Sequence, residues 1–181
     1  MATIGKAILG NWAIDTIVTA RSATPVDLIA GTGVIGGVQT SVRPDVVFGI
    51  PLYVDDPNVA GGRRFNRAAF VAPPAGRQGT LGRNVLRGLP VWQLDLSLRR
   101  QFNLTERANL QFRAEFFNLF NHPNFGDPGN FQGNFLPSPL FGQSTSMLGR
   151  SLGSGGLSGG FNPLYQLGGP RSIQMALKLS F

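Results

Sequence analysis

The chain has 181 residues, of which only 14% are charged, with 25 glycines, 13 prolines, 14 phenylalanines and no cysteine. That mixture argues against a helical bundle and for strands joined by long turns. It also excludes a disulfide framework and a thiolate metal site. The net charge of +7 is local: Arg63, Arg64, Arg67, Arg77, Arg83 and Arg87 lie in residues 57–94, a window without an acid. These arginines sit among Gly, Pro, Asn and Ala rather than among stacking aromatics, so no nucleic-acid partner is expected. No run of about 18 apolar residues exists, so no helix is expected to cross a membrane.

In chain order, residues 11–22 read as a strand dense in β-branched residues. Trp12, Ile14, Thr16, Val18 and Ala20 share one face, and Ile17 blurs the other. Pro25 ends or bends the strand because it cannot donate to a ladder. Residues 31–90 show no clear periodicity and carry Gly-Gly pairs at 36–37 and 61–62 and Pro-Pro at 73–74. They read as one long loop, with Asp45 to Phe48 as a short piece of local strand. Residues 91–102 alternate most clearly, with Trp92, Leu94, Leu96, Leu98 and Phe102 opposite Gln93, Asp95, Ser97, Arg99 and Gln101. A polar turn at 103–106 leads to a strand at 107–120, whose Leu110, Phe112, Ala114, Phe116 and Phe120 oppose Asn109, Gln111, Arg113 and Glu115. So short a turn between two alternating strands predicts a hairpin. Residues 121–170 read as a second Gly/Pro-rich loop, and residues 171–181 as the last strand. Its Ile173, Met175, Leu177, Leu179 and terminal Phe181 form a wholly apolar face.

These patterns predict an all-β, antiparallel transmembrane β-barrel segment of about four strands. Taken alone it is an open sheet with two long extracellular loops, 31–90 and 121–170. With Phe181 on the periplasmic side, the short turn falls in the periplasm and both long loops fall outside. Trp12, Phe102 and Phe181 then mark one interface, and Trp92 and Phe120 the other, as two aromatic girdles. Arg100 and Arg171 break the apolar pattern near strand ends, where long side chains snorkel.

A final strand of alternating apolar residues ending in Phe resembles the sorting signal of bacterial outer-membrane barrels. The resemblance implies that the barrel-assembly machinery reads Met175, Leu177, Leu179 and Phe181. The run Leu110-Gln-Phe-Arg-Ala-Glu-Phe-Phe-Asn-Leu-Phe-Asn-His-Pro-Asn-Phe-Gly126 resembles the penultimate strand and loop of TonB-dependent outer-membrane receptors. The group it is most similar to is the Oar-like kind, which carries a carboxypeptidase-regulatory-like domain. Gly10-Asn-Trp-Ala-Ile, Arg64-Phe-Asn-Arg-Ala-Ala-Phe70 and Gly82-Arg-Asn-Val-Leu-Arg-Gly88 resemble that group too, and Ser22-Ala-Thr-Pro25 stands where it more often has Ser-Gly-Thr-Pro. Such receptors close about 22 strands around an N-terminal plug. The chain therefore reads as their C-terminal part, without plug or export signal and not competent to transport alone.

The resemblance implies a Gram-negative outer-membrane location, with membrane lipid and lipopolysaccharide as surroundings. Contact with TonB would run only through N-terminal parts. It implies no cofactor and no enzyme activity, and leaves iron chelates, oligosaccharides and peptides open as substrates. His122, the sole histidine, has no acid or cysteine beside it in sequence, so a metal or catalytic role is not expected. Asp95 and Glu115 face Arg99 and Arg113 on the polar sides of neighbouring strands, which favours cross-strand ion pairs over acid–base chemistry. Gly-Ser-Gly-Gly at 153–156 lacks the lysine of a phosphate loop. The arginine loop either draws anionic substrates or lipopolysaccharide phosphates, or is merely solvated. Two rival readings are an adhesive or structural outer-membrane barrel and a soluble β-sandwich binding module.

Overall fold

The computed structural model describes residues 10–129, 132–151 and 167–181. Alternation of side chains fixes the largest unit, an antiparallel sheet of four strands. It contains β1 (Trp12–Arg21), β10 (Val91–Asn103), β11 (Asn109–Phe117) and β12 (Ser172–Ser180), paired in that order. Trp12 lies opposite Arg100, Leu98 opposite Ala114, and Ala114 opposite Met175, so the apolar parities of all four strands share one face. A one-residue slip anywhere would turn a greasy row onto the polar side, so the pattern itself sets the register. The β10–β11 connection is tight: Leu104 N donates to Ala108 O at 2.9 Å and Ala108 N to Thr105 Oγ1 at 3.0 Å.

The strand expected at 107–120 stops at Phe117. Asn118 adopts φ 51°, a left-handed conformation that asparagine tolerates and that ends a ladder. The apolar parity of Phe120 therefore belongs to a turn rather than to the strand.

The larger correction concerns the expected loops, 31–90 and 121–170. Residues 25–87 contain eight short strands in four two-stranded ribbons. β2 (Pro25–Val26) pairs with β9 (Leu86–Arg87), and β3 (Gly31–Ile35) with β4 (Val38–Val42). β5 (Asp45–Val46) pairs with β8 (Phe70–Val71), and β6 (Tyr53–Asp55) with β7 (Arg63–Phe65). Gly36 and Gly37, at φ 56° and 82°, form the two-residue turn between β3 and β4 that suits a right-twisted hairpin.

The ribbons enclose a hydrophobic core of their own. Leu28, Phe65, Ala69, Phe70, Leu81, Leu86 and Phe141 are buried within it, with the Phe70 and Phe141 rings edge-on at 5.9 Å. Burying each large side chain is worth about 1.5–3 kcal/mol, enough to hold a unit whose ladders are only two to five residues long. Leu136 and Phe141, from the second expected loop, complete this core, and Ile29 bridges Phe135. The two segments thus fold together into a cap at one end of the sheet. The glycine-rich stretch 153–160 lies outside the described residues.

Candidate functional site

The sheet presents two surfaces of opposite chemistry. On the apolar surface Ile14 is 66% exposed, Val18 69%, Met175 69% and Leu177 71%, and among the described residues no second layer covers them. Such a surface loses free energy against water at about 25 cal/mol per Å², yet suits a wall meeting acyl chains. It also removes the packing that a soluble sandwich needs between facing sheets.

The opposite surface is polar in register. One rung runs Asp15, Ser97, Glu115, Gln174, and the next runs Ala13, Arg99, Arg113, Ala176. Arg99 Nη2 donates to Asp15 Oδ2 at 2.8 Å, and Arg113 pairs with Glu115. The small Ala13 and Ser97 leave room among the charges, and Asp15, Ser97, Arg99, Arg113 and Glu115 line a shallow pocket of about 300 Å³. Neither is a cross-strand pair of the expected set: Arg113 pairs with Glu115 along β11 itself, and Arg99 crosses to Asp15 on β1 rather than to Asp95 or Glu115. The Asp95 carboxylate instead accepts from Asn118 N at 2.8 Å and from Gln93 Nε2 at 2.8 Å. It fastens the end of β11 to β10.

Asp95 is one part of a polar corner that joins wall to cap. Beyond Leu96 the edge of β10 no longer faces β11, and side chains take over its hydrogen bonds. Leu119 N still reaches Leu94 O at 2.8 Å. The Asn124 amide then copies a peptide group: Trp92 N donates to Asn124 Oδ1 at 3.1 Å and Asn124 Nδ2 to Trp92 O at 3.0 Å. Asn118 Nδ2 donates to the carbonyls of His122 and Gly169, both at 2.9 Å. Gly168 N donates to Gln93 Oε1 at 2.9 Å, which ties down the approach to β12. Gln93, Asn118 and Asn124 are all buried, so each bond is made where water cannot replace it. The sequence reading missed this role. Its signal was three asparagines at 118, 121 and 124 around a proline, immediately after an alternating strand. His122 lies in the same corner, its ring 4.2 Å from that of Trp92.

The six arginines of the acid-free window are distributed over the cap, and four are engaged with it. Arg77 makes a bidentate pair with Asp45 at 2.8 and 2.6 Å, and Arg64 Nε sits 3.1 Å from Asp56 Oδ2. Arg63 donates to Gly88 O at 3.1 Å with its guanidinium over the Tyr53 ring, and Arg67 donates to Ser138 O over the Phe141 ring. Arg83 and Arg87 make no ion pair among the described residues. The Arg77 guanidinium holds the Asp45 carboxyl below the usual carboxylate range, helped by the Thr80 amide and opposed by desolvation.

The aromatics gather at the two ends of the apolar surface. Trp92 and Phe120 stand 6.0 Å apart beside the cap. Trp12 and Phe102 stand at the turn end on either side of Arg100, whose guanidinium lies 5.1 Å from the Trp12 ring and 4.5 Å from the Phe102 ring. Along β10 the distance between the two belts is ten residues, which on a strand tilted by about 40° spans on the order of 25 Å of membrane. Met175, Leu177 and Leu179 lie in one exposed row on the edge strand β12, and Phe181 follows it, almost fully exposed.

Against known proteins, residues 2–156 match the family model described as an outer membrane beta barrel domain. Searches of curated proteins and of solved structures gave no match. The matched span holds three of the four wall strands and the whole of the ribbon region. An all-β wall with one greasy and one charged surface, belted by aromatics at both ends, is what that domain requires. The chain belongs to the outer membrane beta barrel domain family and resides in the outer membrane of a Gram-negative bacterium.

Proposed function

We propose that the chain is the C-terminal part of a TonB-dependent outer-membrane transporter, serving energised uptake of a scarce nutrient and performing no catalysis. The observation that carries this reading is the fold of residues 110–126, whose sequence resembles these receptors most specifically. They make β11 and then the asparagine corner that joins the wall to the cap at one end of the sheet. A charged surface facing inward with a folded cap at one end suits a pore whose solute is received outside and passed inward.

In this reading the short turn after β10 lies in the periplasm and the ribbons lie outside the cell. β1 and β12 each have one edge that no described strand pairs, and lipid cannot satisfy such an edge. Further strands of the same barrel therefore complete both. The machinery that assembles barrels reads Met175, Leu177, Leu179 and Phe181, and TonB is contacted by N-terminal parts. The test is the reading frame upstream of Met1, together with uptake by the full-length product. An in-frame plug and a TonB-contacting segment, with uptake abolished when TonB is deleted, is the expected result. A promoter and a ribosome site directly upstream, with no receptor-like coding sequence, would overturn it.

A further inference from the structure

β3 and β4 form a two-stranded ribbon, and one of its two flanks is covered. Along β4 the Gln78 side chain takes the place of a third strand. Its Nε2 donates to Ser41 O at 3.0 Å, and Arg43 N donates to its Oε1 at 3.0 Å. Ser41, whose carbonyl thus turns away from the ribbon, is the register partner of Thr32. Pairs of this kind alternate with hydrogen-bonded pairs along an antiparallel ladder. Thr32 and Val34 therefore turn their N–H and C=O groups to the open flank of β3, where among the described residues no partner meets them. Such an edge is a template for a further strand.

A slot of about 470 Å³ borders that edge, with Gly31, Gly33, Ile35 and Val42 on one side and Pro73 and Pro74 on the other. Thr32 and Val34 border it too, and because their side chains point to the other face of the ribbon, they do so with their main chain. The glycines leave room, since a Cβ at Gly31 would meet nothing within 4 Å. The prolines have no N–H to compete for an acceptor. Arg77, the cation at the rim, is neutralised by its bidentate pair with Asp45. The slot thus offers no free charge for a chelate and no aromatic ring for a sugar to stack on. What it does offer, unpaired peptide groups beside an uncharged apolar wall, complements an uncharged extended main chain.

We propose that the open edge of β3 binds an extended peptide by strand addition, with alternate side chains of the peptide seated in the slot between Gly31 and Pro73. The role of that peptide as cargo rests on the uptake reading above, and it makes peptides the substrate class that the cap receives.

The test uses the full-length protein carrying this chain, purified in detergent without TonB, and a capped pentapeptide of alternating valine and threonine. Binding is followed by titration calorimetry and by amide hydrogen exchange. The expected result is that the peptide binds, that exchange at Thr32 and Val34 slows when it does, and that its fully N-methylated form does not bind. V34P removes an edge donor that lies outside the β3–β4 ladder and should weaken binding about fivefold. G31L fills the slot where a side chain has open space and should abolish binding, with the cap still resistant to added protease. Wild-type protein that does not bind the peptide, or binds the N-methylated form equally, would overturn strand addition without any variant having to fold. Unchanged affinity in G31L would overturn the slot as the seat. TonB takes no part in these measurements, so uptake that proves independent of TonB would sink the transport reading and leave the binding result intact. Absent binding would sink the peptide site and leave transport standing.

Discussion

Asn124 shows how one side chain replaces a stretch of strand. It is fully buried, and its amide satisfies both the N–H and the C=O of Trp92. Asn124→Ala should leave two backbone groups without partners and cost about 2–4 kcal/mol. Denaturant unfolding of the reconstituted full-length protein measures this, and a loss under 1 kcal/mol would show that the corner is dispensable. Asp45 makes a second prediction. Its folded pKa lies below the unfolded value of about 3.9. Its contribution is therefore complete above about pH 4 and disappears as the pH falls through the lower folded value. The Thr80 amide, which donates to Asp45 Oδ1 at 2.9 Å, should stay protected from hydrogen exchange at pH 5 and lose protection in strong acid. In Asp45→Asn that acid-dependent step should be absent. Neither role was legible in the sequence: the acid-free window around Arg77 hid a partner 32 residues earlier, and nothing local marks an asparagine that mimics a peptide.

Among the elements, the four wall strands were legible because each repeats a period of two over nine to thirteen residues. The ribbons were not. β2 and β9 pair only two residues each, across some sixty positions of chain, and so short a strand has no room to show a period. Their stability comes from the buried Phe, Leu and Ala side chains, which are scattered singly along the sequence. The end of β11 was misjudged for a related reason: the apolar parity continues to Phe120, while the backbone turns at Asn118. The two surfaces of the wall give a direct comparison on β1. Ile14 lies on the apolar side between the belts, and Ile17 lines the charged pocket. Ile14→Arg should cost about 2–4 kcal/mol near the bilayer centre, whereas Ile17→Arg should stay within about 1 kcal/mol. Unfolding of the two variants in the same vesicles compares them, and equal losses would sink the assignment of faces.

At the scale of the molecule, wall and cap are held by different forces. The wall relies on long ladders and a lipid solvent. The cap relies on a water-excluding core and on close backbone approaches such as Gly142, which has φ 83° and whose Cβ position is already filled by the Phe65 backbone. Gly142→Ala should therefore loosen the cap while leaving the barrel's heat-modifiable gel mobility unchanged. Faster cleavage within residues 25–87 by added protease is the expected result, and an unchanged cleavage rate would show that the cap tolerates the methyl group. The asparagine corner has a consequence for how such proteins diversify. Because side-chain amides make the seam, β10 and β11 keep their alignment whatever stands above it. An unrelated outer lobe that replaced residues 25–87 together with the Leu136 and Phe141 segment that completes their core would meet a finished rim, so recognition can be rewritten while the staves beneath stay in place.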